Sequence, residues 1–279
     1  MSYRHILLHL DAGPACALRI NATLDLASRL AAHVTGLATI SVAPLYYYPE
    51  NAMSGQLIAE WQSQLEQQAR TVTGRFEAAA RAHGYTGVET RIDNTNELGS
   101  LTLNARYADL VVIGQPDPAE AAREVSRITA ADVVLACPRP VLVIPCTGAP
   151  AGFGRHALIA WNGSREACRA VADALPLLKR AERVTVMAVD PEINDQAHGP
   201  TPGADLAKFL ARHGINTVAD PDYGEVDDTG AELLSRAADL QADLLVMGAY
   251  GHSRAREWVF GGVTRTILNS MTIPVLMSH

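Results

Sequence analysis

The chain has 279 residues, is 48% hydrophobic and carries a formal net charge of −7, so it is long enough for one large domain or two ordinary ones and apolar enough for a real core. The acidic balance argues against a general nucleic-acid or membrane-surface binder, because phosphate affinity needs a net basic face, although it leaves room for a local basic cluster. The opening MSYRHILLHLDAG lacks a small-residue cleavage signal, and no stretch approaches the roughly 18 apolar residues of a spanning helix, so a soluble protein in the cytoplasm is expected.

In chain order, short runs rich in Val, Ile and Leu read as strands buried on both faces: HILLHL at 5–10, TGLATISV at 35–42, DLVVIG at 109–114 and VLVIP at 141–145. A second set follows: ALIAW at 157–161, VTVMAV at 184–189, DLLVMG at 243–248 and IPVLM at 273–277. Between the strands lie amphipathic stretches, such as Ala59 to His83 with Trp61, Leu65, Val72, Phe76 and Ala79 at helical spacing. Strands alternating with helices predict βαβ units and a parallel sheet, the α/β class.

The two sets are copies of one another. RHILLHLDAGP at 4–14 aligns with RHALIAWNGSR at 155–165, an offset of 151. ADLVVIGQPD at 108–117 aligns with ADLLVMGAYG at 242–251, and RPVLVIP at 139–145 with IPVLMSH at 273–279, both at an offset of 134. The difference means about 17 extra residues in the first copy, placed in LYYYPENAMSGQLIAEWQSQLEQQ. The Gly/Pro-rich CTGAPAGFG at 146–154 reads as a linker, which gives domains at 1–147 and 154–279. The four cysteines, Cys16, Cys137, Cys146 and Cys168, contain no C-x-x-C and fit reduced thiols better than a disulfide or zinc framework.

In an open parallel sheet, ligands sit outside the carboxyl ends of the strands. Gly248 and Gly251 fall where the DLLVM strand ends, and Gly261 and Gly262 precede VTRTILNSM, which reads as a helix. Glycine admits positive φ and lets a ligand reach bare backbone, and exposed amides at a helix start favour an anion. The spacing G-x2-G-x9-G would therefore bracket a phosphate chain, with the Thr264 hydroxyl as a further donor and Arg254, Arg256 and Arg265 nearby as neutralising charge. The plainer alternative is that these glycines are turn residues and the arginines solvated loop charges. Neither a Rossmann G-x-G-x-x-G after the first strand nor a Walker G-K-[ST] is present.

The tandem βαβ repeat together with GAYGHSRAREWVFGGVTRTIL closely resembles the universal stress protein family, in particular its two-domain members, and the resemblance covers both halves. It implies two tandem open parallel-sheet, Rossmann-like domains and an ATP site in the second. By this resemblance Gly248, Gly251 and Gly261 would contact phosphates and ribose, and Thr264 would supply a hydroxyl. Gly262 departs from the pattern, which has a hydroxyl residue there, so binding would be weakened by one hydrogen bond, on the order of 1 kcal/mol. The acidic residue that the family places after its first strand is Asp11 in the first copy and Asn162 in the second, where asparagine either contacts the nucleotide or only caps the next helix. Ala188 and Val189 stand where the family packs against adenine, and as simple core residues they would look the same.

In the first copy Gly251 is replaced by Asp117, Gly261 by Arg127 and Gly262 by Ile128, while Gly114 is retained. An aspartate repels phosphate and Pro116 and Pro118 each remove an amide, so this copy is expected to keep the fold without the site. His5 and His156 occupy equivalent strand entrances, which suggests inherited structure. His252 is a weaker candidate for phosphate, and the tyrosines at 46–48 read as packing. No nucleophile-base pair, metal-ligand cluster or water-positioning carboxylate stands out beside the motif; Glu257 is the nearest acid.

Three functions follow for testing. The first is a cytoplasmic stress-response protein binding ATP or a related adenine nucleotide as a regulatory ligand, with or without magnesium. The second is a slow nucleotide hydrolase or phosphotransferase using Thr264 or Arg256. The third is a nucleotide-free protein-interaction module. The family resemblance also implies that PVLVIP and IPVLMSH pair across the copies as an intramolecular pseudo-dimer, leaving a homodimer and an unidentified protein partner open, with neither nucleic acid nor membrane as partner.

Overall fold

The structure is a computed structural model that describes residues 2–40, 55–116, 128–188, 203–220, 228–250 and 262–279. It divides into two compact units, Tyr3–Arg139 and a second built on Pro140–His279.

The first unit runs β1 (His5–Leu10), α1 (Cys16–Leu30), β2 (His33–Thr39), α2 (Gly55–Ala82), β3 (Val88–Asp93), α3 (Glu97–Ala105), β4 (Leu110–Gly114) and α4 (Ala130–Ala136). Its strands lie in the order β3-β2-β1-β4, all parallel, with Ile6 opposite both Val34 and Leu110. Ile6, Leu8, Leu37, Leu110 and Val112 are wholly buried, as strands covered by helices on both faces require. Helix α1 ends where Ala31 enters the left-handed region at φ 51, its amide bonded back to Ala27 and Ser28. Helix α2 docks on β2 through Phe76. A Cβ on Gly36 would lie 2.7 Å from the Phe76 ring, so the glycine is what lets the aromatic ring reach the sheet.

The second unit runs β5 (Val141–Ile144), β6 (His156–Trp161), α5 (Arg165–Leu178), β7 (Arg183–Ala188), α6 (Ala204–Arg212), β8 (Thr217–Asp220), α7 (Thr229–Asp239), β9 (Leu244–Gly248), α8 (Gly262–Ser270) and β10 (Val275–Ser278). The order is β5-β10-β9-β6-β7-β8. All pairs within it are parallel except β10 with β5, which run antiparallel with Val275 opposite Val143. The expected pairing of the two final strands is therefore present, and β5, from the end of the first repeat, lies in the sheet of the second unit. The apolar β10 is thereby covered on both edges rather than left open.

Strands β3 and β8 are not among those read from the sequence. They are the outer strands, and VETRID mixes half-buried and exposed residues, which dilutes the apolar run that betrays a central strand. Part of the first copy's extra length is in α2, 28 residues against nine in α6; the tyrosines at 46–48 lie outside the described residues.

Since Phe76 is fully buried and holds α2 to β2, Phe76→Ala is expected to lower stability by about 3–5 kcal/mol, read from the midpoint of urea unfolding at unchanged slope.

Candidate functional site

At the carboxyl ends of β6, β7 and β9 the second unit gathers Asn162, Ala188 and Gly248. Trp161 is paired with Ala188 in register. Ala188 is buried; Val189 lies outside the described residues. Asn162 accepts the Ser164 amide at 3.1 Å, and the Ser164 hydroxyl accepts the Ala167 amide at 3.1 Å. Ser164, not Asn162, is therefore the cap of α5, and Asn162 shapes the turn before it.

Gly248 is fixed by packing. A Cβ there would lie 2.5 Å from the Ala167 nitrogen and 2.6 Å from the Glu166 carbonyl carbon, so any side chain would push α5 off the strand end. The chain then turns through Tyr250, a non-glycine residue held at φ 59, a conformation that costs of order 1 kcal/mol or more and collects at functional turns. Gly251, Arg256 and Gly261, with His252, Arg254 and Glu257, lie outside the described residues. Gly262 opens α8 with nothing within 4 Å of a Cβ built on it. Thr264, in the same turn, is buried, which limits a ligand's access to its hydroxyl. Arg265 is exposed beside it.

Two residues that the sequence did not single out join this edge. Trp161 is half-buried at the end of β6. Glu166, on the first turn of α5, is buried, with its Cβ 2.9 Å from the position of a Gly248 Cβ and its carboxylate 3.2 Å from Arg165. The backbone and Cβ of an acidic residue therefore lie against Gly248, the first glycine of the motif. Its proximity comes from strand-helix packing between residues 82 positions apart, which no local spacing shows.

The first unit treats the equivalent edge differently. Arg19 is 3% exposed and donates to the His9 carbonyl at 3.0 Å and to Asp11. Its guanidinium occupies the space that a side chain at Gly114 would need. This explains why Gly114 is kept in a copy that has lost the other glycines. Asp11 also accepts the Gly13 amide at 2.8 Å, and His9 Nε2 lies 2.9 Å from Glu97. Burial pushes the Asp11 carboxyl up, but Arg19, His9 and the Gly13 amide outweigh it and hold the group below its ordinary value. The cluster is closed on itself by charge and hydrogen bonding.

Among the described residues no group of three His, Cys, Asp or Glu side chains could hold a metal ion, and no helix is long and apolar enough to cross a membrane. Cys16 and Cys137 are buried, Cys146 half-buried and Cys168 exposed, all as free thiols. Burial pushes the Cys137 thiol up to about 12, which makes it inert.

Two α/β units, their strands parallel except for the β5–β10 pair, define a duplicated, Rossmann-like protein. Residues 2–145 and 154–279 each match the universal stress protein family, and the chain belongs to that family. A universal stress protein from Archaeoglobus fulgidus DSM 4304 superposes with a TM-score of 0.72 at 14% identity, over 98% of this chain and 95% of that one. A functionally unknown protein from Pseudomonas aeruginosa PAO1 gives 0.58 at 15% identity, over 99% and 92%. A putative universal stress protein from Pseudomonas aeruginosa UCBPP-PA14 gives 0.57 at 16% identity, over 99% and 93%. At these identities the structures speak for the fold alone. No curated protein sequence matches the chain.

Removing the guanidinium strands Asp11 beside an empty space. Arg19→Ala is expected to destabilise the protein by about 2–4 kcal/mol in denaturant titrations near neutral pH. Because the native Asp11 carboxyl is held below 3.8, its contribution is present above that value and lost as pH falls through the lower native one, so the difference between variant and wild type should narrow in acid.

Proposed function

We propose that the second repeat, residues 154–279, binds ATP or a related adenine nucleotide as a regulatory ligand in a cytoplasmic stress-response protein. The observation that carries this reading is the placement of the two ends of the G-x2-G-x9-G stretch. It starts at Gly248, where β9 ends, and in sequence its last glycine, Gly261, comes directly before Gly262, the first residue of α8; a helix that joins two parallel strands begins on the side where the first strand ends. Phosphates there would meet the amides of Gly251, Gly261 and Gly262, with Arg256 as counter-charge. Ala188, Val189 and Asn162 would take the base and ribose, with Trp161 at the same edge. The open space around Gly262 and the left-handed Tyr250 support the fit; Gly248 adds nothing, since packing alone requires it. The first repeat, residues 1–147, serves as partner surface, its equivalent edge filled by Arg19.

A second reading, slow hydrolysis of the bound nucleotide, rests on Glu166, a buried acidic residue whose backbone and Cβ lie against the end of β9. Such a group either orients water or, with magnesium present, faces the metal-phosphate complex. Thr264 and Arg256 would then stand near the terminal phosphate.

The test is calorimetric titration of ATP, with and without magnesium, into protein stripped of carried-over nucleotide. One site per chain is expected, lost in Gly251→Asp with its circular dichroism unchanged. Gly262→Ser adds a hydroxyl where there is room, and should tighten binding about fivefold, accompanied by a change in Trp161 fluorescence on saturation. No heat from the stripped wild-type protein would overturn the nucleotide reading in favour of an interaction module, and turnover abolished by Glu166→Gln would favour the hydrolase.

A further inference from the structure

We propose that His5 is a protonation switch in the first unit: the hydrogen-bond chain from the Tyr107 carbonyl through His5 and Thr35 to Glu89 closes only when both ring nitrogens of His5 carry protons, and losing one loosens the outer strand β3.

The argument is an accounting of donors. His5 Nδ1 lies 2.7 Å from the Tyr107 carbonyl oxygen, which can only accept, so Nδ1 must be protonated. Thr35 Oγ1 lies 2.7 Å from Glu89 Oε1. The Glu89 carboxyl is held below its ordinary value, first by that hydroxyl, against partial burial, and with help from Arg91, His33 and His5. An ionised carboxylate only accepts, so the single hydroxyl proton of Thr35 is committed to Glu89. His5 Nε2 is 2.7 Å from the same Thr35 oxygen, which has only lone pairs left to offer. Nε2 must therefore donate as well. Without one ring proton, either Nδ1 faces the carbonyl with a lone pair, or Thr35 must choose between His5 and Glu89.

The charged neighbours are these. On β2, the His33 ring lies 5.7 Å from that of His5, and His33 Nε2 is 3.8 Å from Glu89. On β3, Arg91 is 3.4 Å from Glu89 and donates to Asn104 of α3 at 2.7 Å. Ahead of β4, Asp109 accepts the amides of Arg4 and His5 at 2.8 and 3.0 Å.

The second unit supplies an internal control. His156 aligns with His5, and its Nε2 lies 2.9 Å from Thr185 Oγ1. Opposite Thr185 stands Val218 where Glu89 stands opposite Thr35, and opposite His156 stands Arg183 where His33 stands opposite His5. With no carboxylate facing it across the strands, the Thr185 proton is free to go to Nε2, and the ring is complete as neutral imidazole. Burial first, then Arg183, lowers the affinity of His156 for a proton, opposed by the Leu240 carbonyl and Asp243. The duplicated scaffold thus holds one histidine built as a cation and one built neutral, and only the first couples a proton to an outer strand. This inference is independent of the nucleotide reading.

The experiment is long-range 1H–15N NMR of the histidine rings in the full chain from about pH 5 to about pH 8.5, paired with amide hydrogen exchange corrected for intrinsic rate. Over the acidic part of the range His5 should show two protonated nitrogens while His156 shows the neutral form protonated at Nδ1. As His5 deprotonates, opening of Val88–Asp93 should rise about 2- to 10-fold, the worth of one hydrogen bond, with Thr217–Asp220 unchanged. Thr35→Val should leave His5 titrating but remove the pH dependence of β3, and Glu89→Gln should shift the ring towards the neutral form at a given pH. A neutral His5 in acid, or β3 exchange that is independent of pH in the wild type, would overturn the proposal whatever the variants do.

Discussion

The first helix of each repeat must pass close to the strand that ends in glycine, and the space between them holds either a long side chain or a turn of helix. In the first unit Arg19 fills it, its guanidinium lying over Gly114. In the second, position 170, which aligns with Arg19, is a wholly buried alanine, and the backbone of Glu166 and Ala167 closes on Gly248 instead. The glycine is needed in both cases for steric reasons, and the filler decides what else the strand edge can do.

The electrostatic consequences diverge from that point. A buried guanidinium must find acceptors, and Arg19 takes the His9 carbonyl and Asp11, with Glu97 completing the set through His9. The edge of the first unit is therefore saturated from within. In the second unit Ala170 stands at the position of Arg19, Asn162 accepts the Ser164 amide, and a Cβ built on Gly262 at the start of α8 meets nothing within 4 Å. One duplicated sheet thereby carries two different fillings at matched strand ends.

The opposite ends of the strands show the same divergence on a shared frame. Asp109 and Asp243 each tie down the amides at the start of the repeat's first strand. Beside them His5 and His156 both reach a threonine on the next strand. What differs is the third strand, where a carboxylate in one copy and a valine in the other set the direction of the threonine proton. The strand register is the same in both copies; the residue opposite the threonine is not.

The sequence by itself determined the duplication, the α/β class, the central strands and the placement of the glycine motif after β9, because a strand covered on both faces writes itself as an unbroken apolar run and a repeat as a fixed offset. The outer strands β3 and β8 escaped it, since half-exposed strands mix polar and apolar residues. The tertiary structure alone decided that Gly114 serves Arg19, that Gly248 serves α5, that Glu166 and Trp161 belong to the candidate edge, and that His5 meets Glu89 through Thr35. Each of these depends on atoms far apart in the chain meeting at less than about 4 Å, a distance at which sterics and hydrogen bonding act and which residue order does not encode.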